Sequence, residues 1–189
     1  MILRAAIVSL LLSPAVAALA QQNDGQEEAV AAIEAAGGRV MKIAANTDDQ
    51  EVQFYLSDKD VTDDTLKYVP KIANVVWLNL RGTKITDAGL ESLKSLDRLT
   101  RLHLEKTGIS DAGLPYLAGL VNLQYLNLYG TKVSDAGLEH LKGLKKLQKL
   151  YLWQTQVTEE GVKKLKEALP DTEIVLGTEV TAPPEKKEG

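Results

Sequence analysis

Hydrophobic positions in the middle of the chain follow two patterns in turn. In the segment VVWLNL, Leu78 and Leu80 alternate with Trp77 and Asn79, which predicts a short strand with one buried face. A turn follows the strand, and apolar residues then recur at every third position. These residues are Leu90, Leu93 and Leu96. A strand, a turn and a short helix with an inward face therefore form the predicted unit of this chain.

The same unit is repeated at an interval of 24 residues. The segments TKITDAGLESL, TGISDAGLPYL and TKVSDAGLEHL begin at Thr83, Thr107 and Thr131, and TQVTEEGVKKL begins at Thr155. Aligned at this interval, the chain contains blocks 51–74, 75–98, 99–122, 123–146 and 147–170, followed by a half-block at 171–176. No block of this length can bury its own leucines, so we expect consecutive blocks to stack and share one core.

The first block, 51–74, fits the alignment least well. At the common interval Gln53 is aligned with Trp77, and Phe54 and Leu56 occupy the inward positions of the strand. Lys59 then stands in the column where the other blocks have threonine. We expect this block to keep the shape of the others with a less regular turn.

Each polar column of the repeat has a structural explanation. The threonines at the block turn supply a hydroxyl to loop backbone groups that no strand partner satisfies. Thr86, Ser110, Ser134 and Thr158 are predicted helix N-caps. The acids that follow them favour the helix dipole, and the glycines two positions later allow close approach to the neighbouring block. Pro115 predicts that its helix starts late or as a 3₁₀ turn.

The repeated pattern L-x-x-L-x-L-x-x-T-x-[IV]-[ST]-D-A-G-L resembles that of the leucine-rich repeat family. It is most similar to bacterial and ribonuclease-inhibitor-like members, with threonine where asparagine or cysteine is usual. The resemblance covers about residues 51–176. It implies an α/β solenoid with a short curved parallel sheet on the concave face and helices on the convex face.

The two ends of the chain differ from the repeats. Residues 1–20, with Arg4, an apolar stretch and a small-residue exit, have the layout of a secretory signal peptide cleaved after Ala20. An uncleaved membrane anchor is the alternative, although the apolar run is shorter than the ~20 residues that cross a bilayer. Residues 21–50 are predicted to form an N-terminal cap, with a helix at 25–38 and a strand at 39–44. The polar, proline-containing segment 177–189 is predicted to be a disordered tail.

Composition narrows the compartment and the partners. The chain has no cysteine, so an exported product would be stabilised by packing alone, without disulfides or a lipidated cysteine. We expect a secreted or periplasmic protein that is monomeric and has no membrane span after cleavage. The net charge of −4 is spread along the chain, which argues against nucleic acid as a partner.

The strands also predict which side chains line the concave face. Of the nine aromatic residues, six fall at outward positions of the strands, where a leucine core does not require them. Aromatic side chains mixed with arginine are typical of binding surfaces. The candidate ligand-binding residues are Tyr55, Trp77, Arg81, Arg101, His103, Tyr125, Tyr129, Tyr151 and Trp153. Stacked aromatic strand-formers without a ligand are the structural alternative.

Catalytic and metal motifs are weak in this sequence. His103 and Glu105 lie two apart on one strand and could form a base–carboxylate pair, but a polar contact within the repeat is the simpler and favoured explanation. The acidic segment at 57–64 lacks the glycine and glutamate that an EF-hand requires at fixed positions, which leaves only an adventitious calcium site. Lysine-rich helix segments read as solvated faces, with anionic-surface binding as the alternative. We predict no catalytic residue, no metal site and no cofactor.

The sequence therefore predicts a non-catalytic binding module that recognises a protein, peptide or glycan through its concave face. Six strands about 4.8 Å apart, with five exposed residues each, give a face of only about 400 Å². A standard protein partner buries about 800 Å² on each side, so the partner is either narrow or also contacts the rim. A structural or self-associating envelope scaffold is the main alternative function, and a hydrolase is a more distant one.

Overall fold

The computed structural model describes residues 14–54 and 57–177, with side chains from residue 24 onward. In this part of the chain seven strands form one sheet in chain order, and the first pair is antiparallel. All later neighbours are parallel. The strands are β1 Arg39–Lys42, β2 Gln50–Gln53, β3 Val75–Asn79, β4 Arg101–His103, β5 Tyr125–Asn127, β6 Lys149–Tyr151 and β7 Glu173–Val175.

Short helical elements connect successive strands on the convex side. The α-helices are α1 Pro14–Ala35, α2 Asp63–Leu66, α3 Asp135–Leu138 and α4 Glu159–Ala168. The 3₁₀ helices are Val69–Lys71, Gly89–Ser95, Asp111–Leu117 and Glu139–Leu141. The 3₁₀ form predicted around Pro115 is confirmed, but it also occurs at Gly89–Ser95, which contains no proline. A 3₁₀ helix rises about 2.0 Å per residue, so seven residues suffice to cross the outer side of a coil.

The core consists of aliphatic side chains stacked from coil to coil. Leu78, Leu102, Leu126 and Leu150 are aligned in register on adjacent strands and are fully buried. The convex helices contribute Leu90, Leu93 and Leu96 from one coil and equivalent leucines from the others. The inward positions that the sequence predicts on β3 to β6 are thus confirmed. On β7, the inward Ile174 is only half-buried.

The first coil is two residues longer than the common interval between equivalent strand positions. β2 pairs with β3 so that Glu51 lies beside Trp77 and Gln53 beside Asn79, an offset of 26 residues. The predicted alignment of Gln53 with Trp77 is therefore wrong. Val52 and Phe54 are buried, so the inward position predicted for Phe54 is confirmed, while the one predicted for Leu56 lies outside the described residues.

The turn of the first coil absorbs the two additional residues. The Ser57 N–H donates to the Phe54 carbonyl, as Thr83 donates to Leu80 in the next coil. Ser57, not Lys59, is therefore the counterpart of the threonine column. Lys59 instead reaches the Ala35 carbonyl at the end of α1, at 2.6 Å.

The threonine column holds the turn after each strand, as predicted. The Thr107 and Thr131 hydroxyls each donate to a carbonyl three residues earlier, at 2.7 Å. Thr83 and Thr155 make the same bond, at 2.7 and 2.6 Å. Thr107 and Thr131 are buried, so this bond satisfies hydroxyls that water cannot reach.

The repeated aspartates connect each coil to the next. Asp87 accepts the Ser110 N–H at 2.7 Å on one carboxylate oxygen and the Ser110 hydroxyl at 2.6 Å on the other. Asp111 binds Ser134 in the same two-point manner, at 2.7 and 2.5 Å. Asp63 to Thr86 and Asp135 to Thr158 complete the series. The carboxylates therefore do more than favour the helix dipole.

The glycine of the D-A-G-L motif makes room for this aspartate. A Cβ placed on Gly113 or Gly137 would lie less than 3.0 Å from the carboxylate of the preceding coil. Gly89 and Gly161 meet Asp63 and Asp135 in the same way. The predicted close approach at these glycines is confirmed, and the approaching group is the aspartate.

Three of the four predicted helix caps are present. Ser110 and Ser134 accept an N–H from the second residue after them, and Thr158 accepts one from Gly161. The prediction for Thr86 is wrong, because the helix of that coil begins only at Gly89. The Thr86 hydroxyl donates to Asp63 instead, at 2.6 Å.

α1 covers the N-terminal end of the core with Ala29 and Ile33, which are fully buried, while Val30 is only half-buried. The helix ends at Ala35, and Gly37 then adopts a positive φ of 80°. The Gly38 N–H donates to the Ile33 carbonyl at 2.9 Å, which closes the helix end.

α1 begins at Pro14 and so runs through Ala20. The predicted cleavage there stays a prediction, and residues 1–13 and 178–189 lie outside the described part.

Candidate binding face

The parallel sheet arranges the outward side chains in rows that run across the strands. The first row is Trp77, Arg101, Tyr125, Lys149 and Glu173. The second row is Asn79, His103, Asn127, Tyr151 and Val175. Two residues further along lie Arg81, Glu105, Tyr129, Trp153 and Gly177. These three rows are called the concave face below, and their order on β3 to β7 is the predicted one.

Rings and cations of the first two rows contact one another across the strands. The Arg101 guanidinium lies 4.6 Å from the centre of the Trp77 ring. The His103 and Tyr125 rings are 4.8 Å apart at a tilt of 34°, and Tyr125 and Tyr151 are 5.4 Å apart at 43°. Tilted aromatic pairs at these distances contribute about 0.5–1.5 kcal/mol beyond burial. These contacts join residues on neighbouring strands that lie 22 to 26 positions apart in the sequence.

A second cluster lies beyond the strand ends. Tyr129 and Trp153 are stacked with ring centres 5.0 Å apart and an interplanar angle of 14°, and the Lys106 amine lies 5.5 Å from the Tyr129 ring. Trp153 remains 47% exposed. Gly177 lies against its other side, where an added Cβ would clash with the indole. The indole therefore lies between Tyr129 and the backbone that follows β7.

A buried carboxylate organises the centre of the face. One oxygen of Glu105, Oε1, is 2.8 Å from His103 Nδ1 and accepts the Asn127 Nδ2–H at 2.8 Å. The same Asn127 amide donates to the Tyr125 hydroxyl at 3.2 Å. Glu105 is only 5% exposed, and its second oxygen has no hydrogen-bond partner among the described residues. The carboxylate thus fixes the orientation of two side chains of the second row.

Two of three comparisons with known proteins agree with this architecture. A family model described as a leucine-rich repeat matches residues 74–94. Among solved structures, 108 chains match, and an internalin from Listeria monocytogenes is 22% identical, with a TM-score of 0.56. A leucine-rich repeat protein from Leptospira interrogans is 20% identical, with a TM-score of 0.46. Among curated proteins, none matches this sequence.

This chain has the leucine-rich repeat fold. The alignment covers 67% of it and 35% of the internalin, and 65% of it and 36% of the Leptospira protein. The chain thus matches about a third of the length of each. At these identities the likeness shows the fold and leaves the ligand to be inferred from the face itself.

The leucine-rich repeat scaffold exposes most of the predicted binding residues. Arg81 and Arg101 are exposed, and Trp77, His103, Tyr125, Tyr129 and Tyr151 are half-exposed. Tyr55 lies outside the described residues. The prediction did not include Asn127 or Glu105 among the binding residues. The Asn79 and Asn127 side chains each accept the N–H two residues later, at 3.1 and 3.0 Å, so the asparagine column could have indicated a structural role.

Titrating groups on the face respond to this packing. Burial raises the pKa of the Tyr125 hydroxyl above its ordinary value, and the hydrogen bond from Asn127 partly offsets that effect. The hydrogen bond with Glu173, together with its charge, raises the pKa of Lys149. Both groups therefore keep their neutral-pH charge states, a phenol and an ammonium.

Acidic side chains in the segment that suggested a calcium site are bonded to other residues of the same chain. Asp60 pairs with Lys84 at 2.6 Å, and Asp63 binds Thr86. Within the described ranges no group of three or more candidate ligand side chains converges on a metal position. A membrane-crossing length of apolar helix is likewise not found among the residues that the structure describes.

Proposed function

We propose that this protein is an exported, non-catalytic binding module that recognises a protein, peptide or glycan through the concave face. The observation that supports this most is the concentration of rings on the outward side of β3 to β6 and just beyond their ends. Trp77, Tyr125, Tyr129, Tyr151 and Trp153 all lie there. Export rests on the predicted signal peptide at residues 1–20.

The position of two of the rings favours binding over a purely structural role. Tyr129 and Trp153 follow the ends of β5 and β6, so a preference of aromatic residues for strands does not explain them. Trp153 also leaves a large apolar surface in water. It borders a groove of about 430 Å³ lined by Leu152, Thr155, Val157 and Leu176 as well. Exposed aromatic surface of this kind is a feature of interaction sites.

The His103–Glu105 pair does not by itself support hydrolysis. Glu105 orients the imidazole, but the three rows of the face on β3 to β7 contain no serine or cysteine that could act as a nucleophile. The pair instead fixes which edge of His103 faces the ligand. His103, Arg81 and Arg101 are the polar contributors to recognition.

The test is capture of a ligand from the extracellular or envelope fraction with the exported chain. The double variant Trp77→Ala/Trp153→Ala should lose the captured partner, because truncating central aromatic anchors removes about 2 kcal/mol or more each. Tyr116→Ala is the matched control, since Tyr116 lies in a 3₁₀ helix on the opposite side. Equal capture by wild type and the double variant would remove the concave face as the binding surface. The mass of the exported chain should correspond to a start at Gln21.

A further inference from the structure

The charges on the concave face are unbalanced. Arg81 and Arg101 on this face, and Lys106 beside it, make no ion pair with any residue that the structure describes. The face contains two acids: Glu173 pairs with Lys149 at 3.1 Å, and Glu105 is buried with its Oε1 already hydrogen-bonded. The protein as a whole carries a net charge of −4, so this excess of cations on one face is local. A cationic surface with aromatic neighbours selects a ligand of opposite charge.

Two of these cations are held in place by rings. Arg101 lies over the Trp77 ring at 4.6 Å, and Lys106 over Tyr129 at 5.5 Å. A guanidinium held over a ring still has N–H groups that can donate to a carboxylate. These contacts order the two long side chains in the free protein, so less side-chain entropy is lost when a ligand binds.

The spacing of the arginines fits an extended chain. Arg101 is in the first row and Arg81 in the third, so they are four strand positions apart, or about 13 Å along the strand direction. In an extended peptide, side chains at positions i, i+2 and i+4 lie on one side and cover the same distance. A peptide lying along the strands would thus place carboxylates i and i+4 on the two arginines.

The arrangement of the rings favours a peptide over an acidic glycan. Sugars bind to aromatic residues by stacking on open ring faces. On this face of the protein, each of these rings is partly covered by a neighbouring side chain. Arg101 covers one face of Trp77, and Tyr129 and Trp153 cover each other. Tyr125 contacts both His103 and Tyr151. Apart from one open face of Trp77, mainly ring edges remain, and these suit the side chains of a peptide.

We propose that the concave face is a binding site for an extended acidic peptide segment, with carboxylates held by Arg101 and Arg81. This inference rests on the proposed function and specifies the class of partner. It also explains how a face of this size can bind specifically, since a strand-like ligand needs less area than a globular one.

The experiment is selection from a display library of random peptides on the immobilised protein. We expect enriched sequences to contain more Asp and Glu than the starting library, with acids four residues apart. A synthetic enriched peptide should bind at least about tenfold more weakly when its acids are changed to amides, because each change removes a charge-assisted hydrogen bond to an arginine. Its binding should also weaken with added salt.

Variants of the protein connect the selectivity to the two arginines. Arg101→Gln and Arg81→Gln should each weaken the acidic peptide about tenfold or more and leave its amide version nearly unchanged. Lys163→Gln, which removes an exposed cation from α4 on the convex side, is the charge-matched control and should have little effect. Equal loss in Lys163→Gln would mean that only the net charge matters and would overturn the inference.

Other outcomes separate this inference from the proposed function. Enriched peptides that are not acidic but lose binding in Trp77→Ala/Trp153→Ala would overturn the acidic preference and leave the binding function intact. Binding of a polyuronate without any peptide enrichment would overturn the peptide assignment in favour of a glycan. If no captured ligand of any class depends on the rings, both the inference and the proposed function fail.

Discussion

One carboxylate in each repeat joins two coils at two atoms. Asp111 accepts both the backbone N–H and the hydroxyl of Ser134, and the glycine of the next coil leaves the space that it occupies. Hydrogen bonds to a charged acceptor contribute about 1.5–3 kcal/mol. The aspartate and the glycine of the D-A-G-L motif are therefore explained by contact between neighbouring coils. The motif is repeated because each coil makes the same aspartate contact with the next one.

The substitution Gly137→Ala tests this contact directly. The new methyl group would meet the Asp111 carboxylate and the Leu114 side chain at less than 3.0 Å. We expect a loss of about 1–3 kcal/mol in the free energy of unfolding, measured with urea, because the coils have to separate. Gly143→Ala in the same coil is the control, since nothing lies within 4 Å of its added Cβ. Equal effects of the two substitutions would contradict the role given to Gly137.

Acid should weaken the last of these aspartate contacts. Hydrogen bonds from the Thr158 hydroxyl and N–H lower the pKa of Asp135 below its ordinary value of 3.8. A lowered pKa in the folded state means that the stabilisation is complete above pH 3.8 and is lost as pH falls through the lowered value. The difference in unfolding free energy between wild type and Asp135→Asn should therefore shrink as pH falls below about 4. A difference that stays constant down to pH 2 would contradict this assignment.

At the scale of elements, regular repetition determines what the sequence can predict. Strand positions, inward leucines, the threonine turns and the outward rows on β3 to β7 follow from one interval applied repeatedly. The pairing of β2 with β3 does not follow from this interval. Two additional residues between Ser57 and Val61 change the separation of paired residues, although the sequence of the first block still resembles the others. Side-chain contacts between strands, such as Asn127 to Glu105, depend on rotamers that no periodic pattern specifies.

The register of β2 against β3 can be measured with disulfides, since the chain has no cysteine of its own. Gln53 and Asn79 are direct neighbours, so Gln53→Cys/Asn79→Cys should form a bridge under mild oxidation. In Gln53→Cys/Trp77→Cys the two positions are offset by two residues and lie about 8 Å apart, which is too far for a disulfide. Mass spectrometry of the oxidised proteins distinguishes the two registers. Bridging only in the second variant would restore the uniform interval.

At the scale of the whole molecule, the two ends of the sheet differ. At the N-terminal end α1 and the antiparallel β1 cover the first coil. At the other end β7 pairs on one side only within the described residues, and Ile174 and Leu176 are half-buried. Such an edge is where the scaffold alternative would join two copies. Its three residues and the charge of Glu173 make it a weak template for strand pairing.

The protein should therefore remain a monomer when its concentration is raised. Light scattering over a dilution series should give one constant mass, because pairing across a three-residue edge offers few hydrogen bonds against the entropy of association. Val175→Lys places a second charge on this strand and should leave the mass unchanged. A mass that falls on dilution, together with dissociation of Val175→Lys, would show that β7 joins copies of the chain. The outward rings would then belong to an assembled scaffold, and ligand recognition by a single chain would no longer be needed to explain them.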